Sequence, residues 1–416
     1  MKKNIKKNII LLFLFFLPIC SLFIGFVMNE DLSTGGAKLD FNVTWPLINN
    51  YSNLNFITDD ITTHMPLHYI ILSFINEIFN NQQIVRFIYL LSSFLLPIFL
   101  YLNLKKIYPQ NKILLIIFSS AFLFIPFFRA AVIWPNAHIT AAIFFLIGNY
   151  FYLKAKRKNA FIYKLINLLF LSFSIYSIQS YIILFIYYLY NYFFSEKIYN
   201  FIRLLIFSAL LSIPGFLFII INPRTANIGN FITKDILYTF SSNFSLIFFF
   251  LLFILINNKN MKIITSKIKC LNKIEVTIIL SLIFLCYYNQ ELFTSASGLR
   301  GGGFFYKLSY LIFNNNLIFI TSFLLGLITS YLLIKHEKRI FYILLIINLM
   351  SINFIVYQKY FEPLFLIIIS ILFKNFLMTN ILTNFKSVFI FYSLVFFYFL
   401  IAYTNYLNKF TYQLIS

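Results

Sequence analysis

Residues 9–28 read IILLFLFFLPICSLFIGFVM, preceded by KKNIKKN at 2–8 and followed by Asn29, Glu30 and Asp31. As a helix rising ~1.5 Å per residue, such a run reaches ~30 Å, the thickness of a bilayer's hydrocarbon core. Its length, its purity and the charge at both ends make it a membrane-spanning helix rather than a core helix of a soluble domain. The basic start followed by an apolar run also suits a secretory signal. The run is too long for one and has no small-x-small cleavage site, so it reads as a retained first helix.

The rest of the chain extends this reading. Of 416 residues, 61% are hydrophobic, mean hydropathy is +0.86, and Phe (57), Tyr (29) and Trp (2) are abundant. Charged residues make up 11%, against roughly 25% in an ordinary soluble domain. One soluble core could not hide this much apolar surface. A soluble enzyme, a disordered tail and a secreted disulfide scaffold are excluded. Cys20, Cys270 and Cys286 are far apart, which predicts neither a disulfide framework nor a metal cluster.

Further apolar runs follow at Phe87–Leu104, Ile113–Ile133, His138–Leu153, Phe161–Ile178, Tyr181–Phe194, Leu204–Ile221, Ser242–Leu255 and Val276–Tyr288. The last are Leu317–Ile334, Ile340–Val356, Pro363–Phe376 and Val388–Tyr403. The expected fold is all-α: one polytopic transmembrane domain over residues 1–416, with about 13 transmembrane helices. The net charge of +21 comes from 33 basic and 12 acidic residues. Cytoplasmic loops collect Lys and Arg, so Lys2, Lys3, Lys6 and Lys7 place the N-terminus inside. Alternation then puts 24 basic residues on inner loops with only Glu196, Glu275 and Glu337, and leaves nine of each sign outside. The excess is a topology signal, helped by anionic lipid of the inner leaflet, and not a nucleic-acid surface. The 26 Lys against seven Arg, with abundant Ile, Asn and Phe, suggest an AT-rich bacterial genome. The expected location is therefore a bacterial inner membrane.

Most connections are short. The exception is the first outer segment, Asn29–Val85, with six of the 12 acids: Glu30, Asp31, Asp40, Asp59, Asp60 and Glu77. Its stretch Met65–Phe79 reads as an amphipathic helix on the membrane surface, too polar at Asn76 and Glu77 to span. Polar residues also gather at Asn222–Asn243, Gln290–Lys307 and Gln358–Glu362, all on the same side, which places the chemistry at the outer face. No GxxxxGK[ST] loop, strand-linked GxGxxG, cytoplasmic DxD, HExxH or Ser-His-Asp set occurs. Any activated substrate must come by another route, and a lipid-linked one is the obvious choice. The spans are almost free of acids, against an ion-coupled pump.

These features, in this order, resemble the GT-C superfamily of membrane glycosyltransferases. The similarity is greatest to its bacterial branch of protein mannosyltransferase-like and aminoarabinose-transferase-like enzymes. That branch has a cytoplasmic start, one span, a first loop with a catalytic Asp, a His/Pro-rich entry to a surface helix, and an Arg opening the second span. The matching stretches are GGAKLDF at 35–41, THMPLHYIILSFINEIF at 63–79 and IVRFIYLLSSFLLPIFLYLNLKKIYP at 84–109. The family's late Arg/Lys-Tyr and Pro at the mouth of an outer span is echoed by QKYFEPLFLI at 358–367. The likeness covers the first ~200 residues and is only a pattern of spans thereafter. The family often has Asp-Glu adjacent, whereas Asp40 is followed by Phe41.

The resemblance implies transfer of a sugar from a polyprenyl-phosphate donor to a hydroxyl on a lipid, glycan or protein. It makes Asp40 the general base, taking the hydroxyl proton late in the transition state. Asp59 and Asp60 compete for that role or bind the acceptor, with capping of the surface helix an equal account. His64 and His68 stand i, i+4 and suit hydrogen bonding to sugar or phosphate. They also form a possible metal pair with no obvious third ligand, so no cofactor is expected, a divalent metal being possible but unsupported. The lipid-phosphate leaving group needs cations. Arg300, beside Gly301–Gly303 in a turn able to form an anion-binding nest, and Lys307 and Lys359 are the choices. Glu362 near Lys359 completes the substrate set. The alternatives are a polysaccharide polymerase or O-antigen-ligase-like protein, and a flippase or transporter. The first usually has a late, arginine-rich outer loop. The second should show internal repeats and polar residues in its spans.

Overall fold

The computed structural model describes residues 2–33, 36–52, 64–109, 111–222, 236–289, 303–351 and 358–415. Among them all regular structure is helical, with no strand. In chain order the helices are α1 (Lys2–Val27), α2 (Gly36–Ser52), α3 (Leu67–Phe79), α4 (Gln82–Ser93), α5 (Leu95–Ile107), α6 (Lys112–Ala121) and α7 (Pro126–Ile133). Then come α8 (Ala137–Lys158), α9 (Phe161–Ser177), α10 (Ile182–Ser195), α11 (Ile198–Ile221), α12 (Ile236–Leu255), α13 (Asn258–Lys269) and α14 (Lys273–Tyr288). The series ends with α15 (Gly303–Phe313), α16 (Leu317–His336), α17 (Ile340–Met350), α18 (Leu364–Ile371), α19 (Phe376–Leu382) and α20 (Phe385–Ile415). The chain forms two compact units, residues 1–227 with 392–416, and residues 228–391.

The protein is thus an all-α protein with the helices of a multi-pass membrane protein. Among the described residues, five are long and apolar enough to cross a bilayer: Gln82–Ile107, α11, Leu237–Leu255, α16 and Phe385–Asn408. Three bent pairs raise the number to eight if each is one span. Each of the thirteen apolar runs carries helix, but several are shorter or more broken than the runs suggest. The Ile113–Ile133 run bends by 68° at Ile125, because Pro126 excludes its predecessor from the α region and drives Ile125 to ψ 122°. Likewise α18 and α19 meet at 95°, and α17 has only 11 residues.

Asparagine does much of the punctuation. Asn81, Asn136, Asn257, Asn272 and Asn375 cap the N-termini of α4, α8, α13, α14 and α19 by accepting from the backbone N–H of the first turn. Among the described residues, every non-glycine with positive φ is also Asn: 29, 80, 111, 159 and 314. Asn tolerates the left-handed region best after Gly, and the chain has only 11 Gly.

The segment read as a long first loop contains two helices, α2 and α3, joined by a hydrogen bond from Asn76 Nδ2 to Asn49 Oδ1 (3.1 Å). The stretch Met65–Phe79 does form a helix, α3, beginning two residues later because Pro66 stands at its N-cap.

Inside the first unit, uncharged polar side chains occur along the apolar runs. Asn149 Nδ2 donates to Asn103 Oδ1 (3.0 Å), Asn103 Nδ2 to Leu146 O (2.8 Å), and Tyr188 OH to Asn149 Oδ1 (2.5 Å). Asn167 Nδ2 donates to Gly148 O (2.9 Å) and accepts from Tyr192 OH (3.0 Å). All these amides are buried and partnered within the ladder, so it acts as interhelical glue worth about 0.6 kcal/mol a bond. Lys164 closes one end with a buried ion pair to Glu196 at 2.5 Å. In the second unit, α12 and α16 pack so closely that a Cβ on Gly326 would sit 2.1 Å from Phe244 O. Ser245 and Ser322 hydroxyls meet at 2.6 Å in the same seam, the small-residue packing that membrane helices use.

Candidate functional site

Where α1 ends, Asn29 turns the chain at φ 52° and carries two acids back into the protein. Glu30 and Asp31 are 2% and 3% exposed, a costly placement unless both are paired. Each is. Arg129 of α7 grips Glu30 with two parallel bonds, Nε to Oε1 at 2.8 Å and Nη2 to Oε2 at 2.9 Å. The same guanidinium donates to Ser21 Oγ and Ser21 O and lies 4.6 Å from the centre of the Phe399 ring. Trp134 Nε1 donates to Glu30 O at 3.1 Å. Gly25 makes room: a Cβ there would meet Arg129 Nη2 at 2.7 Å and Glu30 Oε2 at 2.8 Å.

Asp31 holds the start of α2. Its Oδ1 accepts from Ser33 N and Ser33 Oγ, and its Oδ2 from Lys38 N at 2.8 Å. Ser33 Oγ accepts from Ala37 N. The orphan N–H groups of the first turn are met by a carboxylate and a hydroxyl, and the acid suits the positive end of the helix dipole.

Beside this cap, Arg86 of α4 lies flat on Trp134, its Cζ 3.6 Å from the ring centre. Its Nε donates to Ile133 O (3.0 Å) and its Nη1 to Asn29 Oδ1 (2.9 Å), while its buried Nη2 has no hydrogen-bond partner. Lys38 Nζ stands 5.3 Å from the same ring. Two cations therefore attend one indole next to two acids. Asp40, one turn into α2 from this cap, is half-buried and keeps part of its surface open.

A second polar group lies between α3, α4 and α8. His68 Nδ1 is 2.8 Å from Thr140 Oγ1, and Tyr89 OH donates to Asn136 O and contacts the same hydroxyl. Burial, reinforced by the nearby His64, pushes His68 down to about 3 from 6.5, so it stays neutral at physiological pH. The two histidines do not share a helical face, because α3 begins only at Leu67. His64 instead sets its ring edge-on to His138, 5.7 Å away.

Neutral burial of His68 has a measurable consequence. Below pH 6.5 the unfolded chain takes up a proton that folded His68 refuses down to about 3, so stability falls as pH drops through that window. Between pH 6.5 and 5 the loss is on the order of 2 kcal/mol. The thermal midpoint in detergent is expected to drop over this range, and His68→Asn to flatten the slope; an unchanged slope would refute the assignment.

The remaining expected residues lie in the second unit or outside the described residues. Asp59, Asp60 and Arg300 are outside them. In the second unit, Lys307 is exposed on α15 and Lys359 half-buried in a short 3₁₀ turn. Glu362 is 4% exposed and accepts from Gln358 Nε2 at 2.7 Å, while Gln358 Oε1 accepts from Phe304 N at 2.9 Å.

Sequence reasoning counted Glu30 and Asp31 among the loop acids and matched Arg86 to the family's Arg at the second span, without seeing that Glu30 meets Arg129. It missed Trp134 and His138 altogether. The available signals were an arginine within the apolar run PFFRAAVI and an acid pair directly after a span. Among the described residues, no group of three His, Cys, Asp or Glu could hold a metal ion, and the three cysteines are free thiols. No protein-family model, curated protein or solved structure matches the chain.

Proposed function

We propose that the protein is a GT-C-type glycosyltransferase. It moves a sugar from a polyprenyl-phosphate donor to a hydroxyl of a lipid, glycan or protein at the outer face of a bacterial inner membrane. In this reading the chain is a single transmembrane domain with about 13 spans, some of them bent or short, and a cytoplasmic N-terminus. The observation that carries it is the polar cluster at the end of α1. There Asp31 caps α2, buried Arg129 grips Glu30, and buried Arg86 lies on the Trp134 indole beside them. Such a cluster is expensive to build in an apolar protein, and intramembrane ionisable groups mark function more often than packing.

Within it, Asp40 is the base. Asp40 projects from a helix whose start is clamped, since both oxygens of Asp31 are spent on the first turn of α2, and it is only half-buried where Glu30 and Asp31 are buried. A rigid helix suits a base that must meet one hydroxyl at hydrogen-bond distance. His64 and neutral His68, with Asp59, Asp60 and Glu362, bind substrate. Arg300, Lys307 and Lys359 neutralise the leaving phosphate. The amides of the Asn–Tyr ladder are spent on one another, on tyrosine hydroxyls and on backbone carbonyls, so the ladder lends nothing to a transporter reading.

The test is to purify the protein from its host and identify co-purifying lipids by mass spectrometry. A polyprenyl-phosphate sugar, retained above the level of an unrelated multi-pass protein, is expected. Its absence, with no sugar transfer from synthetic donors, would sink the proposal.

A further inference from the structure

Helix α13 has features the catalytic reading does not use. It meets α14 at 104°, so when α14 crosses the bilayer, α13 lies across it. Its sequence, NKNMKIITSKIK, divides into three sectors around the axis at roughly 100° per residue. One sector is anchored: Asn260 and Ile264 are buried, Asn260 Nδ2 donates to Ile254 O (3.0 Å) and Leu377 O (3.3 Å), and Asn380 Nδ2 donates to Asn260 Oδ1 (2.8 Å). At the N-cap, Asn257 Nδ2 donates to Ser387 Oγ at 2.7 Å. At the other end Lys335 Nζ reaches Cys270 O at 3.3 Å. The helix is thus fastened along its inner side to the ends of its neighbours.

The other two sectors face away. Met261 and Ile268, with Ile274 just beyond, form an apolar strip, 45%, 48% and 71% exposed. Around the axis from it stand Lys259, Lys262 and Lys269, followed by Lys273, all exposed; Lys267 is half-buried. The one nearby acid, Glu275, is already used, accepting from Asn272 N and from Lys335 Nζ at 2.7 and 2.8 Å, with Tyr331 OH against it. Glu337, beyond α16, faces Arg339 and Phe376 N. None of the five lysines of this segment has an ion pair among the described residues.

We propose that α13 is a docking surface for anionic phospholipid headgroups. An apolar strip flanked by a lysine strip, on a helix lying across its neighbouring span, is how an interfacial helix seats itself: methionine and isoleucines dip into acyl chains and ammonium groups meet phosphates. Charge complementarity selects the occupant, since lysines near an anionic surface each add attraction that zwitterionic lipid does not offer. The asparagine anchors hold the helix in place before lipid arrives, so little ordering entropy opposes binding.

The full-length protein in detergent is equilibrated with equimolar phosphatidylglycerol and phosphatidylcholine, and bound lipids are counted by native mass spectrometry. Preferential phosphatidylglycerol retention is expected. It should fall about tenfold in Lys259→Gln/Lys262→Gln/Lys269→Gln/Lys273→Gln and persist when the same four become Arg. Neutralising Lys105, Lys154, Lys158 and Lys197 instead should change it little. Unchanged retention in the Gln variant, or an equal loss in the second set, overturns the proposal. Should the Gln variant fail to insert, a bimane on exposed Cys270 in a Cys20→Ser background reports on the native lysines. Headgroup-nitroxide phosphatidylglycerol should quench it at least about twice as strongly as the phosphatidylcholine analogue, and equal quenching overturns the assignment.

Discussion

Asp40→Asn is expected to lower sugar transfer by roughly 100- to 10,000-fold, the usual cost of losing a positioned base, with expression and membrane insertion intact. Asn has nearly the same volume and still accepts one hydrogen bond, but it cannot take a proton from the acceptor. A half-buried acid serving only as helix surface should tolerate the change within about 0.5 kcal/mol. The comparison with Asp31→Asn separates chemistry from architecture. Asp31 spends both oxygens on the start of α2, so its amide should cost about 1 kcal/mol of stability, as cap replacements do, and reduce turnover only through a looser α2. Asp59→Asn and Asp60→Asn make the same charge change in the same segment. A dead Asp31→Asn beside a near-normal Asp40→Asn would move the base to Asp31. Near-normal turnover in all four would remove the acidic segment from the chemistry.

The largest stability effect is expected at the Glu30–Arg129 pair. Truncating one partner of a buried ion pair strands the other charge, which costs ~3–5 kcal/mol. Arg129→Ala and Glu30→Ala should each lower the thermal midpoint in detergent sharply, while Glu30→Leu with Arg129→Met should recover most of the loss. Gly25→Ala acts in the same direction by a different route, because its methyl would collide with both partners at 2.7 and 2.8 Å. If the single truncations leave the midpoint in place, the pair does not hold the α1–α7 junction. If the apolar double variant is stable yet inactive, the cluster is kept for function at a cost in stability. That result would strengthen the catalytic reading.

The helical class was legible because it rests on local quantities. Apolar runs of bilayer length and a charge fraction of 11% demand helices whatever the tertiary arrangement. The helix α3 was legible from its local pattern too, and its late start follows from Pro66. The number of full-length spans was not. A run such as Ile113–Ile133 has the composition of one span, and Pro126 marks where it breaks, yet whether halves bent by 68° still cross as one span is set by what packs against each.

The site was legible only in its ingredients. Sequence alone determined that the acids gather between α1 and α4 and that histidines stand at the entry to α3, since these are matters of composition and order. Which acid is buried, which caps a helix and which stays accessible was decided by tertiary structure. Glu30 and Arg129 are 99 residues apart, Arg86 and Ile133 are 47 apart, and His64 finds His138 across a similar gap. No periodicity encodes such pairings. Hydrogen bonds and ion pairs act over about 3 Å, so partners are chosen by the few ångströms of relative placement that packing of whole helices sets. In an apolar protein an unpartnered charge is too costly to keep, so the fold that buries Glu30 must also bring it Arg129.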